Sequence, residues 1–192
     1  MSEIVLIGNS PRVLDSKLGS KIDSIDRIVR FNNYTVSEKF SEFVGSREDI
    51  WCMNATGKIE RREYSKEIWI PQNLRNKNNL KRFIEIATVY EHINFLPKEF
   101  CENLDKNILG LPAGIWSTTG TYAIQWAVEN FDDVWVTGFG FFDSAKTGEI
   151  SPHYFSHNLD EKIGSSHNIP KEKAYYKSLL LKGAIRAIKE LT

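Results

Sequence analysis

The chain has 192 residues, of which 41% are hydrophobic and 26% charged, and its formal net charge is zero. This length lies at the upper edge of the usual one-domain range, so we expect residues 1–192 to form a single domain. The composition argues against a disordered chain, and the sequence has no apolar run long enough to span a membrane. The balanced charge argues against nucleic acid as a partner.

Short apolar runs rich in β-branched residues alternate with polar, helix-like stretches along the chain. Buried parallel strands read as continuous apolar runs, so the pattern predicts an α/β fold: a Rossmann-like, mainly parallel sheet with helices on both faces. The predicted strands are Ile4–Ile7, Arg27–Phe31, Asp49–Met53, Glu67–Ile70, His92–Leu96 and Val134–Thr137. The predicted helices are Asn79–Val89, Thr121–Glu129 and Lys171–Leu191.

The last predicted helix follows Pro170, and its apolar residues recur at helical spacing. We expect it to pack on the outside of the sheet; a helix in peripheral contact with a membrane surface is the alternative. No signal-peptide pattern precedes the first strand, which predicts a cytoplasmic protein. The two cysteines, Cys52 and Cys101, have no metal-type spacing and are expected to be free, buried thiols, with a disulfide as the alternative.

The first predicted strand leads into the glycine turn Gly8-Asn9-Ser10-Pro11. The carboxyl end of a strand is where open α/β sheets bind ligands, so we expect a phosphate or a ribose here. The dinucleotide-binding fingerprint is missing, because no further glycine occurs before Gly19. An ordinary strand-to-loop turn is the alternative.

The second predicted strand ends in two amides, Asn32 and Asn33. An amide donates and accepts hydrogen bonds at once, which suits the hydroxyls of a ribose or another sugar. Arg30 lies inside the apolar run, and we interpret it as a structural arginine.

Hydroxyls and a glycine, Ser117-Thr118-Thr119-Gly120, precede the helix predicted from Thr121. Free backbone N–H groups at a helix start bind anions, so this segment predicts a cradle for a single phosphate. Simple capping of the helix by a serine or threonine is the alternative.

Three of the four histidines, His153, His157 and His167, fall within fifteen residues. Histidine titrates near neutrality, so the cluster favours proton transfer or phosphate binding. Solvent-exposed histidines and a metal site are the alternatives. The spacing of His153 and His157 would suit zinc on a helix face, but Pro152 favours a loop.

The order of these segments resembles the eukaryotic-type sialyltransferases, glycosyltransferase family 29. The large sialyl motif is resembled by Ile7–Ser10, Gly19, Ile22-Asp23, Asp26, Val29–Asn32 and Val44-Gly45. The small motif is resembled by Ser117–Gly120, Val134 and Gly138-Phe139. The third motif is similar to His153-Tyr154-Phe155, and the last to His167 and Glu172, which four residues separate.

The resemblance implies a variant GT-A fold and an inverting transfer of a sialic acid from a CMP-sugar donor to a glycan or glycolipid acceptor. It implies that His167 is the general base and that His153 faces the phosphate, and the spacing suggests that Glu172 orients His167. The predicted donor-binding residues are Gly8, Asn9, Ser10, Asn32, Ser117, Thr118, Thr119, Gly120 and Tyr154.

No Asp-x-Asp pair follows a predicted strand, so we expect neither a metal nor another cofactor. The resemblance is to a short bacterial or viral member. In the animal enzymes a disulfide joins the small motif to the large motif, and Phe131 stands at the position of the small-motif cysteine. The alternatives are a CMP-binding protein without transfer activity, a CMP-sugar hydrolase and a transferase of CMP-Kdo. The acceptor, the linkage and the oligomeric state stay open.

Overall fold

The computed structural model describes residues 2–54, 66–72, 90, 92–141, 153–156 and 166–191. Within these residues seven strands form one sheet of order β5-β4-β3-β2-β1-β6-β7, and every pairing is parallel. The strands are β1 Glu3–Ile7, β2 Arg27–Phe31, β3 Ile50–Cys52, β4 Glu67–Pro71, β5 Ile93–Leu96, β6 Asp133–Thr137 and β7 Arg186–Ala187. The six strands predicted from the sequence are confirmed to within one residue at each end.

Five α-helices accompany this sheet in the described part of the chain: α1 Gly19–Ser24, α2 Glu38–Val44, α3 Lys98–Asn103, α4 Thr119–Asn130 and α5 Ile169–Leu181. A π-helical turn, Leu104–Ile108, continues α3. Short 3-10 turns span Pro11–Asp15 and Ile188–Glu190. The predicted helix Thr121–Glu129 is confirmed as α4, and Asn79–Val89 lies outside the described residues.

The side chains of β1 show how the sheet is covered on both faces. Ile4 and Leu6 belong to a core cluster that includes Tyr122 of α4. Val5 belongs to a second cluster that includes Ile22 of α1. Successive side chains of a strand point to opposite faces, so helices pack against both faces of the sheet, as predicted.

The predicted C-terminal helix Lys171–Leu191 is wrong in its second half, because α5 ends at Leu181. Gly183 has φ +68°, and its N–H donates to the Leu180 carbonyl while that of Ala184 donates to Leu179. These two bonds and the left-handed glycine form a Schellman motif, which terminates a helix. The chain then forms β7 beside β6.

Arg30 is structural, as predicted. Its side chain is 1% exposed, and it donates hydrogen bonds of 2.8 Å to the carbonyl oxygens of Arg47 and Val44. Burial lowers the pKa of Arg30, and the tyrosine and carboxylate groups around it oppose that change. Arg30 therefore ties β2 to the segment that follows α2.

Both cysteines are free and buried, which confirms that prediction. Burial, and then the charge of Asp105, raises the pKa of Cys101 to about 12. Such a thiol stays protonated and unreactive at neutral pH. In the part of the chain that is described, no helix combines the length and the apolar character needed to cross a membrane.

The chain order reverses at β1, which lies between β2 and β6. The two glycines that follow β1 and β6, Gly8 and Gly138, meet there backbone to backbone. A Cβ on Gly8 would lie 2.4 Å from the Gly138 carbonyl oxygen, and one on Gly138 would lie 2.2 Å from that of Gly8. The reversal of chain order leaves a crevice here at the carboxyl edge of the sheet, the place where doubly wound folds bind ligands.

Candidate active site

A cavity of about 130 Å³ occupies this crevice. Its walls come from the ends of three neighbouring strands, the start of α4 and one histidine of a distant loop. The lining residues are Gly8, Asn9, Ser10, Phe31, Asn32, Thr118, Thr119, Gly120, Thr121, Gly138, Phe139, Gly140, Phe141 and His153. Eight of the eleven residues predicted to bind the donor or act in catalysis are therefore brought together.

The two asparagines offer opposite hydrogen-bonding groups to the cavity. The Asn9 Nδ2 donates to the carbonyl oxygens of Phe31 and Asn33, both at 3.0 Å, which leaves its Oδ1 as an acceptor. The Asn32 Oδ1 accepts from the main-chain N–H of Asn54 at 3.1 Å, which leaves its Nδ2 as a donor. These contacts fix the orientation of both amides, and together they suit the hydroxyls of a ribose.

The backbone of Asn32 is itself unusual, with φ +48°. Asparagine tolerates the left-handed region better than most residues. The Asn32 main chain is held on both sides, since its N–H donates to the Cys52 carbonyl and its carbonyl accepts from the Trp51 indole at 2.8 Å. The asparagine is therefore fixed at the cavity by its own backbone.

The start of α4 presents free N–H groups to the cavity. Thr118 is the N-cap, and its hydroxyl accepts from the Thr121 N–H. The N–H groups of Thr119 and Gly120 lie in the first turn, where a helix supplies no acceptor for them. With the positive end of the helix dipole they form a site for an anion such as a phosphate.

Glu172 of α5 holds the N-cap of α4 in place. Its Oε2 accepts the Thr118 N–H at 2.9 Å and the hydroxyls of Thr118 and Thr121, both at 2.6 Å. No hydrogen bond joins the side chains of Glu172 and His167 in the described residues, so the prediction that Glu172 orients His167 has no direct contact behind it and stays a prediction. The first turn of α5 directs this carboxylate to α4 instead.

Glu172 is 0% exposed, and its Oε1 has no hydrogen-bond partner in the described part of the chain. Burial raises the pKa of Glu172, while the hydrogen bonds from Thr118 and Thr121 and the charge of His167 act in the opposite direction. The unpartnered oxygen is the site where a proton would reside.

His153 lines the cavity from the loop side. Its ring stacks on that of Phe155, with centroids 5.5 Å apart and planes 6° apart. The following N–H, of Tyr154, donates to the Asn9 carbonyl at 3.0 Å. The histidine is thus attached to the turn that follows β1.

His167 is not among the residues that line the cavity; it contacts Trp116, two residues before the lining residue Thr118. Its Nδ1 is 2.8 Å from the Trp116 carbonyl oxygen, and the Trp116 N–H donates to the Ser166 carbonyl at 2.9 Å. A carbonyl oxygen only accepts, so Nδ1 carries the proton in this bond. The Nε2 of the neutral ring then has the free lone pair, as a general base requires.

Two further predicted residues, Ser117 and Tyr154, do not line the cavity. Ser117 is 1% exposed, and its hydroxyl donates to Asp105 at 2.6 Å. The Tyr154 hydroxyl donates to the Thr35 carbonyl and accepts from the Thr35 N–H. Ser117 and Tyr154 thus bond to residues outside the cavity lining. His157 lies outside the described residues.

Phe139 and Phe141 also line the cavity, although neither was predicted from the sequence to bind the donor. The Phe139 ring contacts Phe31 edge to face, with centroids 5.8 Å apart, and both Phe139 and Phe141 contact Tyr176 of α5. Phe141 has φ +47°, a strained conformation for a bulky residue and one that clusters at functional sites. The sequence signals for this wall were the glycine that follows the strand β6 and the resemblance of Gly138-Phe139 to the small motif.

No group of three or more histidine, cysteine, aspartate or glutamate residues within the described ranges could hold a metal ion. The cavity offers N–H groups, hydroxyls, amides and an imidazole. These groups suit a phosphate attached to a ribose.

Comparison with known proteins agrees with this geometry. The family model described as "Glycosyltransferase family 29 (sialyltransferase)" matches residues 2–92 and 68–184. The chain is 26% identical over 211 residues to CMP-N-acetylneuraminate-beta-galactosamide-alpha-2,3-sialyltransferase 4 of Mus musculus, covering 95% of this chain and 62% of the relative. It is 24% identical over 206 residues to CMP-N-acetylneuraminate-beta-1,4-galactoside alpha-2,3-sialyltransferase of Rattus norvegicus, covering 92% and 54%. The chain thus spans less than two thirds of these relatives.

Two solved structures share the fold. A mammalian sialyltransferase superimposes with a TM-score of 0.73 at 20% identity, covering 97% of this chain and 68% of the other. The sialyltransferase CstII from Campylobacter jejuni, in complex with cytidine-5'-monophosphate, superimposes with a TM-score of 0.62 at 14% identity, covering 98% and 80%. The prediction of a Rossmann-like fold of the GT-A type is confirmed.

Proposed function

We propose that this chain, which belongs to glycosyltransferase family 29, transfers a sialic acid or a related nonulosonic sugar from a CMP-sugar to a hydroxyl of a glycan or glycolipid, with inversion. One observation carries the proposal. The cavity at the carboxyl edge of the sheet combines an anion site at the start of α4, two oriented asparagines and His153, and the imidazole of His167 contacts Trp116, two residues before the lining residue Thr118.

The CMP part of the donor fits the polar groups of the cavity. The phosphate would accept from the N–H groups of Thr119 and Gly120, and His153 would face it from the opposite wall. The hydroxyls of the ribose would bond to Asn9 and Asn32. These donors surround the oxygen on which negative charge develops as CMP leaves.

The transfer itself needs a base on the acceptor side. The Nε2 of His167 takes the proton of the acceptor hydroxyl while that oxygen attacks the anomeric carbon of the sugar. The bond from this carbon to the phosphate oxygen breaks, its electron pair leaves with CMP, and the configuration inverts. Holding the two substrates and the base in one geometry supplies much of the acceleration.

We further propose that the reaction needs no metal. Many nucleotide-sugar enzymes use a metal to neutralise a diphosphate, whereas CMP leaves with a single phosphate. N–H groups, a hydroxyl and an imidazole are sufficient donors for that charge. We also propose a cytoplasmic location, which the two free, buried thiols support.

A binding experiment and a product analysis test these statements. CMP, but neither UDP nor NAD, should raise the melting temperature in the presence of EDTA, because a ligand that binds only the folded state stabilises it. Incubation with CMP-sialic acid, other CMP-sugars and a panel of glycans, followed by mass spectrometry, should give a glycan enlarged by one sugar. A strict requirement for Mg²⁺ or Mn²⁺ would contradict the metal-free proposal. Free sugar and CMP without any enlarged glycan would indicate a hydrolase instead.

A further inference from the structure

Two buried carboxylates hold consecutive residues at the start of α4. Glu172 of α5 accepts the N–H and the hydroxyl of Thr118. Asp105 of the π-helical turn accepts the same two groups of Ser117, at 3.0 and 2.6 Å. The segment that enters the active site is therefore fixed from two sides by distant parts of the chain.

Asp105 is 6% exposed and uses three polar atoms in this arrangement. Its Oδ1 holds Ser117, its Oδ2 accepts from the Tyr122 hydroxyl at 2.6 Å, and its main-chain carbonyl accepts from the Leu111 N–H at 2.7 Å. One residue thus closes the loop of residues 111–117 at both ends. π-helical turns are rare and occur often at functional sites.

Packing alone does not fix this loop. A cavity of about 440 Å³ lies beside it and is lined by Asp105, Lys106 and the loop residues Leu111–Trp116. The loop therefore has space into which it can shift. Without Asp105, the Ser117 N–H and hydroxyl would be buried with no acceptor. Because an unpaired buried polar group is costly, Ser117 would move until these groups reach another acceptor.

The neighbour of Ser117 in the loop is Trp116, whose main chain is hydrogen-bonded to His167, the proposed base. The Trp116 carbonyl accepts from Nδ1 of His167, and the Trp116 N–H donates to Ser166. A shift of the loop by 1 Å would lengthen the bond that keeps the proton on Nδ1. Both ring nitrogens could then carry that proton, and Nε2 would lose its role as an acceptor in a fraction of the molecules.

We propose that Asp105 is a positioning residue for the transfer reaction: by holding Ser117, it keeps the Trp116 carbonyl against His167 and so maintains the tautomer in which Nε2 is the base. This inference rests on the proposed function, in which His167 deprotonates the acceptor. The π-helical turn would thus act on His167 through Ser117 and Trp116. Asp105 itself touches neither substrate.

Three variants separate this role from a general loss of stability. Asp105→Ala removes every side-chain acceptor from Ser117. Asp105→Asn retains an oxygen for Ser117, while the Tyr122 hydroxyl can rotate to accept from the new amide. Tyr122→Phe is the matched control, because it removes a buried hydrogen bond from the same carboxylate and leaves the hold on Ser117 intact.

The first readout is the tautomer of His167, measured from the ¹⁵N shifts of its ring by NMR at a pH of about 8, where free histidine is neutral. The His167→Gln variant assigns the signal. The wild type, Asp105→Asn and Tyr122→Phe should show Nδ1–H, and Asp105→Ala should shift toward an average of the two tautomers. An unchanged tautomer in folded Asp105→Ala, or an equal shift in Tyr122→Phe, would overturn the proposal. If Asp105→Ala does not fold, Ser117→Ala, which removes the hydroxyl that Asp105 holds, should show the shift instead, and an unchanged tautomer in that variant would overturn the proposal.

The second readout is the rate of transfer at saturating donor. Asp105→Ala should lower kcat by about 10- to 100-fold, the effect of a displacement of about 1 Å in a reacting group. Asp105→Asn should recover most of that loss, and Tyr122→Phe should keep kcat within about threefold of the wild type. Equal losses of kcat in Tyr122→Phe and Asp105→Ala would also overturn the proposal. The tautomer is measured without substrate, so a wild type that shows Nδ1–H but no transfer refutes the proposed function alone.

Discussion

Thr118 donates both its N–H and its hydroxyl to a single oxygen of Glu172, at 2.9 and 2.6 Å. The other oxygen of this fully buried carboxylate has no partner in the described residues. The helix start that we propose as the phosphate site is thus held by a group that is itself costly to ionise. This arrangement connects the stability of the site to pH.

The first prediction concerns the pH dependence of stability in Glu172→Gln. Burial raises the pKa of Glu172 in the folded state, whereas in the unfolded chain a glutamate has a pKa of about 4.3. Between these two values the folded state binds the additional proton, so the contribution of Glu172 to stability falls as pH rises through that window. Glutamine has no proton to lose. The free energy of unfolding of the wild type minus that of Glu172→Gln should therefore fall as pH rises above about 4.

Urea denaturation at a series of pH values measures this difference. Glu190→Gln serves as the control, since Glu190 lies exposed near the end of the described chain and its exchange should alter stability little. A difference that grows with pH would show that Glu172 is stabilised as the anion, contrary to the expectation.

The second prediction separates binding by Asn32 from its structural role. Asn32→Asp keeps an Oδ1 that accepts from the Asn54 N–H, as in the wild type, but replaces the donor Nδ2 by an oxygen. The melting temperature should change little, while the affinity for CMP falls by about tenfold or more, the effect of one lost hydrogen bond. Asn32→Ala should lower both. Calorimetric titration with CMP measures the affinities. An Asn32→Asp variant that binds CMP as tightly as the wild type would show that the Asn32 Nδ2 does not contact CMP.

The third prediction distinguishes the two histidines. His167→Ala should leave CMP binding nearly intact and lower transfer by about 10²–10⁴-fold, the usual contribution of a positioned general base. His153→Ala should impair CMP binding and transfer together, because His153 lines the cavity and would donate to the phosphate. Parallel assays of CMP binding and transfer measure both effects. If His167→Ala retains transfer while His157→Ala abolishes it, the base has been assigned to the wrong histidine.

The fourth prediction uses two glycines with nearly equal φ angles. Gly138 has φ +70° and Gly183 has φ +68°, so an alanine at either position should cost about 1–2 kcal/mol of strain. At Gly183 the Cβ meets nothing within 4 Å, but at Gly138 it would lie 2.2 Å from the Gly8 carbonyl oxygen. Gly138→Ala should therefore lose clearly more stability and also CMP binding. Similar melting temperatures for the two variants would contradict a rigid contact between the turns.

Much of the sheet could be predicted because its strands are buried on both faces. The run Ile4–Ile7 is apolar throughout for that reason, and its boundaries follow from composition alone. The end of α5 could not be predicted in this way. Gly183 lies between apolar residues that continue the helical spacing, and only the capping bonds of Gly183 and Ala184 show that the helix stops.

The side chains at the start of α4 illustrate a different limit. Ser117 and Thr118 are neighbouring hydroxyl residues, and nothing in their chemistry shows that Ser117 is directed away from the cavity. That direction is set by Asp105, twelve residues earlier, while Thr118 is held by Glu172, 54 residues later. Carboxylates brought in by tertiary structure therefore decide which of the two residues lines the site.

The central position of β1 has a consequence for how the protein acquires its site during synthesis. β1 is synthesised long before β6, yet β6 is one of its two neighbours in the sheet, with Val5 opposite Trp135. The Ser10 N–H likewise finds its acceptor on Gly138. Pairings so distant along the chain form late and slowly, because a long loop must close before they can contribute. We therefore expect the turn that we assign to the nucleotide to remain unformed during synthesis until β6 and Gly138 have been made.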